Sequence, residues 1–311
     1  MIGFGEELLL SVEGALPPDL QGTLVRVGPG APEGSGGGAD RAGEGALHAV
    51  ELRDGQAVSY RSHQSAGDAG VFWHAGSLLV LPESGFPSQY SRTLEPEEFT
   101  GRLTVPVASH VHRLAADGVR VLFSVDDGTH DAATDGGAVD ADTSEAEDVW
   151  LRIGEWDSSG ALRAAQSVAL ERATWQHVVA VTTNHVVFIE SPTTRAAGAR
   201  DAAVPFGWVP GAEGWMGIVP RDGDGTSVRW FRLDPCLVTH LLGAYEEATP
   251  PSGVRTGDGG GGGDIVLYVC RYDVPEKGQP VDLSASVVGK CLLSTCLKQS
   301  PFLCPWDRVS I

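Results

Sequence analysis

Apolar residues along this chain come in short bursts rather than long stripes. The runs GTLVRVG (22–28), LHAVEL (47–52), VFWHAGSLLVL (71–81), VRVLFSV (119–125), VWLRIGEW (149–156), HVVFIE (185–190), VRWFRL (228–233) and DIVLYVCRY (264–272) are rich in Val, Leu, Ile and aromatic residues. Gly, Pro, Asp or Ser clusters close them. β-Branched and aromatic side chains suit a pleated, half-buried surface, so each run reads as a strand. Apolar spacing at three and four residues is almost absent, and TLEPEEFTGRL (93–103) predicts at most a turn or two of helix. Many short strands with turn chemistry between them predict an all-β protein: a sandwich, a barrel or a propeller.

At 311 residues and 42% hydrophobic, the chain is long enough to bury a substantial core. Its formal charge of -19 excludes a nucleic-acid partner, because phosphates need a basic surface. Much of that charge is local: residues 126–148 hold nine acidic residues and no basic one, a composition that predicts a solvated insert. A second loop, 254–264, is Gly-rich, with no strand-loop-helix context for binding phosphate. No run approaches the ~18 apolar residues of a membrane span. The N-terminus MIGFGEELLLSV carries an acidic pair where a signal peptide is basic, so the expectation is a soluble, cytoplasmic chain. Five cysteines, none in the first 235 residues, make no disulfide framework.

Composition shifts sharply at the end. KCLLSTCLKQSPFLCPWDRVSI (290–311) holds two of the three lysines and three of the five cysteines. Its cysteine spacing matches no standard zinc site. The expectation is therefore a fold over 1–289 and an atypical tail, 290–311, outside it, as an altered gene end would produce.

Nine histidines are the richest chemical resource. His110 in TVPVASHVHRL, His177 in ATWQHVVAV and His240 in CLVTHLLGAYEE each sit in or beside a β-prone segment, 67 and 63 residues apart. In a propeller, near-constant spacing of a blade with its loops brings such residues round to the central axis. Converging imidazoles suit a borderline transition metal: Fe, Zn, Cu or Ni. Spacing alone leaves open the plainer reading, unrelated core or surface histidines, because nine residues offer many triples.

Local sequence adds to this. LPPDLQGTLVRVGPGAP (16–32) resembles the N-terminal signature of the carotenoid cleavage oxygenases, the family of lignostilbene dioxygenases and retinal-pigment isomerohydrolases. GEGALHAVEL (43–52) and FWHAGSLLVLPESGFP (72–87) are similar to its next two segments. ASHVHRL (108–114), QHVVAVTTNHVVFIE (176–190) and HLLGAYEE (240–247) resemble, in order, the segments that carry three of its metal ligands. The resemblance implies a seven-bladed β-propeller with axial histidines on one Fe(II), and His110, His177 and His240 as ligands. It makes Glu83 a carboxylate on an outer ring nitrogen, where it offsets the ion's charge. The implied reaction splits a conjugated C=C bond of a small apolar carotenoid, apocarotenoid or stilbenoid with O2 into carbonyl products. Phe72, Trp73, Trp175, Phe206, Trp208 and Trp215 either line an apolar tunnel or fill blade cores. Peripheral membrane contact for taking up such a substrate stays open.

By the same resemblance His48 and His74 are structural. His112 is expected on the strand face opposite His110. His63 carries no signal, and His130 (in the insert) and His185 (in a turn) are expected to be solvated. Val27, Glu44, Val111, Val178 and Gly243 depart from the family pattern, and none is an expected ligand. No histidine follows His240, so a fourth ligand has no candidate here. The expectation is a C-terminally incomplete propeller that is inactive as written; the alternative is a non-catalytic partial propeller binding an isoprenoid or a protein partner.

Overall fold

The structure, a computed structural model, describes residues 10, 12–29, 45–65, 70–82, 84–97, 107–108, 112–113, 119–126, 149–195, 206–247, 264–273, 287–293 and 307–308. Every element among them is a strand, and no helix there is long and apolar enough to cross a membrane. The described residues fall into two compact units. One is drawn from Met1–Val111 with the short piece Trp156–Leu162, the other from His112–Glu155, Arg163–Arg200 and Val204–Ile311.

In the first unit the strands are β1 (Gly22–Pro29), β2 (Gly45–Arg53), β3 (Gln56–Ser65), β4 (Gly70–His74), β5 (Ser77–Leu81), β6 (Ser84–Gly85), β7 (Ser88–Tyr90), β8 (Pro96–Glu97) and β9 (Val107–Ala108). β1-β2-β3 form one antiparallel sheet, β4-β5-β7-β8 another, and β6 pairs with β9. The β2–β3 hairpin turns through Asp54 and Gly55 at φ 50° and 72°, the left-handed pair that a tight hairpin needs. Gly55 is also irreplaceable on contact grounds, since a Cβ there would lie 2.7 Å from the Pro17 carbonyl oxygen. Leu47, Ala49, Leu78, Val80, Tyr90 and Leu94 make the core, with Trp73 packed against it and the Arg92 guanidinium 4.9 Å above the indole. The segment expected to hold a turn or two of helix gives, within its described part, a turn and then the short strand Pro96–Glu97.

The second unit continues with β10 (His112–Arg113), β11 (Arg120–Asp126), β12 (Val149–Trp156), β13 (Leu162–Leu170), β14 (Ala180–Val181), β15 (His185–Glu190), β16 (Thr193–Arg195), β17 (Phe206–Trp208), β18 (Gly214–Pro220), β19 (Arg229–Leu233), β20 (Cys236–Glu247), β21 (Asp264–Asp273), β22 (Val287–Leu293) and β23 (Asp307–Arg308). Its sheets are β10-β11-β12-β13, β14-β15-β18-β19, β20-β21-β22-β23 and the pair β16-β17. Four-stranded antiparallel sheets built from neighbouring strands are the unit of a propeller blade. The core gathers Val187, Ile189, Met216, Ile218, Leu233, Val238, Leu241, Ile265, Leu267 and Val269. Gly217 sits between Phe188 and Trp230 across three strands, and the two rings meet edge to face at 5.3 Å. A Cβ on Gly217 would fall 2.0 Å from the Phe188 ring, so only glycine leaves the phenyl room.

The composition break at Lys290 falls inside β22, which pairs with β21 from Arg271↔Val287 to Ile265↔Leu293. Of the acidic stretch 126–148 only Asp126 is described, and of the Gly-rich stretch 254–264 only Asp264; the rest lies outside the described residues.

Candidate metal centre

β20 carries His240, and its register decides where the ring goes. Strict alternation would put Cys236, Val238 and His240 on one face. Instead Val238 opposes Arg271 and His240 opposes Cys270, so Thr239 is an extra residue. A second irregularity follows, with Leu241 opposite Val269 and Gly243 opposite Tyr268. Each bulge shifts the phase by one. Cys236, Val238 and Leu241 therefore enter the core, as do Ile265, Leu267 and Val269 across from them. His240 is turned to the other face, where it is exposed, and its Nδ1 lies 3.3 Å from Thr239 Oγ1.

His177 sits in the unpaired stretch between β13 and β14. Side chains hold this stretch in place of a ladder. Thr174 Oγ1 donates to the Ser191 carbonyl at 2.9 Å, the Trp175 N–H donates to Thr193 Oγ1 at 3.2 Å, and Gln176 Nε2 donates to the Val178 carbonyl at 2.7 Å. The Trp175 ring lies 5.4 Å from the His177 ring.

The two imidazoles meet. Their centroids are 5.1 Å apart with planes at 87°. Two rings donating to one ion ~2.1 Å from each donor nitrogen stand at about this separation. Imidazoles are the donor type that a borderline metal takes. Among the described residues no group of three or more His, Cys, Asp or Glu is gathered as a metal site. His110 and Glu83 lie outside the described residues, so of the expected set the structure brings together His177 and His240.

A second polar cluster lies at the far end of β20. Glu246 accepts from the Asn184 N–H at 2.9 Å, Asn184 Nδ2 at 2.6 Å, His185 Nδ1 at 3.0 Å and the Thr182 hydroxyl. Partial burial pushes the carboxyl up, but the donors outweigh it and hold it at about 2. His185, expected to be solvated, is instead half-buried and opens β15; Glu246 is what draws it in. Nothing in the spacing of a Glu and a His 61 residues apart marks them as partners. Nearby, Arg221 clasps Glu155 through Nε at 2.6 Å and Nη2 at 2.8 Å, and donates to the Thr183 carbonyl.

Of the remaining histidines, His48 hydrogen-bonds Tyr60 Oη at 2.6 Å and His74 is buried, in keeping with structural roles. Of the aromatic residues, Trp73 joins the first unit's core. Trp215 lines a groove of about 630 Å³ in the second unit, whose walls are mixed: Val209 and Ala212 stand beside Glu171, Arg172 and Glu213.

The model of one protein family, "Retinal pigment epithelial membrane protein", matches residues 4–288. The chain belongs to this family, that of the carotenoid cleavage oxygenases. Among its relatives is a "Carotenoid cleavage oxygenase" of Mycobacterium tuberculosis, 27% identical over 89% of this chain. Another is "Resveratrol cleavage oxygenase 1" of Chaetomium globosum, 24% identical over 76% of it. The chain spans 65% of the length of the first and 45% of the second. In fold it is similar to the lignostilbene dioxygenase of Pseudomonas brassicacearum, with a TM-score of 0.70 at 20% identity, covering 93% of this chain and 65% of that one. It is also similar to a cobalt-substituted Synechocystis ACO, with a TM-score of 0.67 at 17% identity, covering 93% of this chain and 68% of that one.

Proposed function

We propose that this family member is a non-heme Fe(II) oxygenase that splits a conjugated C=C bond of a carotenoid, apocarotenoid or stilbenoid. His110, His177 and His240 would hold the ion, with Glu83 on an outer ring nitrogen. The observation that carries the reading is the edge-to-face pair His177–His240, since both rings stand on segments that resemble the family's ligand segments. The names of the relatives support the substrate class: carotenoid cleavage in one and resveratrol cleavage in another.

In this reaction one C=C bond and the O–O bond break, and two C=O bonds form, so both oxygen atoms leave in the products and no proton or external reductant is consumed. The bound Fe(II) would supply the site for O2 activation. The chain's part is to hold and orient. The bulge at Thr239 keeps His240 off the core face, and the braced stretch before His177 fixes the second ring. Neutral imidazoles leave the ion's charge uncompensated, which is the role proposed for Glu83.

Anaerobic Fe(II) loading followed by desalting tests the metal. Iron should stay with the protein and be lost from His177→Ala and His240→Ala, with affinity falling at least about tenfold. Adding O2 and a carotenoid or stilbene then tests the chemistry, and carbonyl fragments are the expected products. A second reading is a non-catalytic propeller that binds an isoprenoid or a protein partner. Iron retention without carbonyl products would favour it.

A further inference from the structure

The turn from the end of β15 into β16, Glu190 to Thr193, touches both histidine-bearing segments, and it does so through buried groups. On one side it takes up the approach to His177. The Ser191 carbonyl accepts Thr174 Oγ1 at 2.9 Å. Thr193 Oγ1 accepts the Trp175 N–H at 3.2 Å and meets Thr174 Oγ1 at the same distance. On the other side Ser191 Oγ accepts the Val238 N–H at 3.3 Å, two residues before His240 and just where the β20 ladder breaks register. Glu190, Ser191, Thr193 and Thr174 are 3%, 1%, 5% and 0% exposed.

Burial is what gives these bonds weight. A surface hydroxyl that loses its partner turns to water at little cost, whereas a buried N–H left without an acceptor costs about 1–3 kcal/mol and the backbone moves to relieve it. The stretch carrying His177 has no strand pairing to resist such a move. Val238 lies beside a bulge, where the ladder is already interrupted.

We infer that Ser191 and Thr193 are positioning residues for the metal centre: one short strap holds the His177 stretch through the Thr193 hydroxyl and the His240 strand through the Ser191 hydroxyl, and so sets the angle and spacing of the two rings. The inference rests on the metal-centre reading for its purpose. The ring geometry itself can be measured without metal.

The test uses the 311-residue chain with isotope-labelled histidine. Metal-free NMR reads the nuclear Overhauser contact between the His177 and His240 rings, and anaerobic Co(II) titration reads affinity through the visible absorption of the ion. The parent should show the ring contact. Ser191→Ala and Thr193→Val should lose or sharply weaken it and raise the Co(II) Kd about tenfold. Thr193→Ser, which keeps the hydroxyl, should restore both. Val80→Ala, a core truncation in the first unit, should lower Tm while leaving both readouts in place. That separates positioning from general loss of stability. Persistence of the ring contact in Ser191→Ala and Thr193→Val, or its absence from the parent, would overturn the inference. A parent with the ring contact but without histidine-dependent Co(II) uptake would overturn the metal reading and leave the strap standing.

Discussion

Glu246 gathers four donors, and they hold its carboxyl at about 2, well below the ordinary 4.5, which ties stability to acidity. The folded state prefers the ionised form. Its contribution is therefore complete above pH 4.5 and is lost as pH falls from there toward 2. Glu246→Gln should cost roughly 1–3 kcal/mol at pH 7, the usual range for a charge-assisted network that is partly exposed. Urea unfolding at pH 7 and at pH 3 checks this, and the gap between parent and variant should narrow at the lower pH. Glu246 also shows where sequence reading stops at single residues. It was legible as the first of the two glutamates that close HLLGAYEE, but its work is to tie β20 to the Thr182–His185 turn, and that partnership exists only once the sheets are folded.

Strands were the legible elements. Each apolar run read from the sequence overlaps a strand, because burst length and turn chemistry are local properties. Strands such as Leu162–Leu170 and Gly214–Pro220 carry small or polar residues, and it is their neighbours that make them strands. The bulges of β20 were not legible. In CLVTHLLGAYEE nothing local distinguishes an inserted residue from an alternating one, since the count is set by the partner strand. The phase shift makes a clear prediction. Leu241 is 7% exposed in the core and Leu242 58% exposed outside it, the reverse of strict alternation from Cys236 and Val238. Leu241→Ala should cost about 2–4 kcal/mol. Leu242→Ala should cost less than about 1 kcal/mol. Chemical denaturation of the two variants side by side decides it.

Across the whole chain, the family was legible from six ordered motifs, and the match over 4–288 agrees. Because His177 and His240 both belong to the second unit, metal loading should stabilise that unit in particular. An ion at a hundred times its Kd adds about 2.7 kcal/mol to the form that binds it. Scanning calorimetry should show a rise of roughly 5–10 °C. A chelator should reverse it, and His240→Ala should not show it. What the sequence did not reveal was the means of bracing: hydroxyls at Ser191 and Thr193 look like ordinary turn residues until the two segments they join are in place.

That strap also imposes an order in time. Its contacts to Thr174 and Trp175 span 17–19 residues, whereas its contact to Val238 spans 47. Short loops close first. As the chain leaves the ribosome, the stretch presenting His177 can be braced while the strand bearing His240 is still unmade. The half-built pair waits for its second ring, so under the proposed function uptake of an ion by both rings would mark the moment at which synthesis has passed β20 and the sheet has docked.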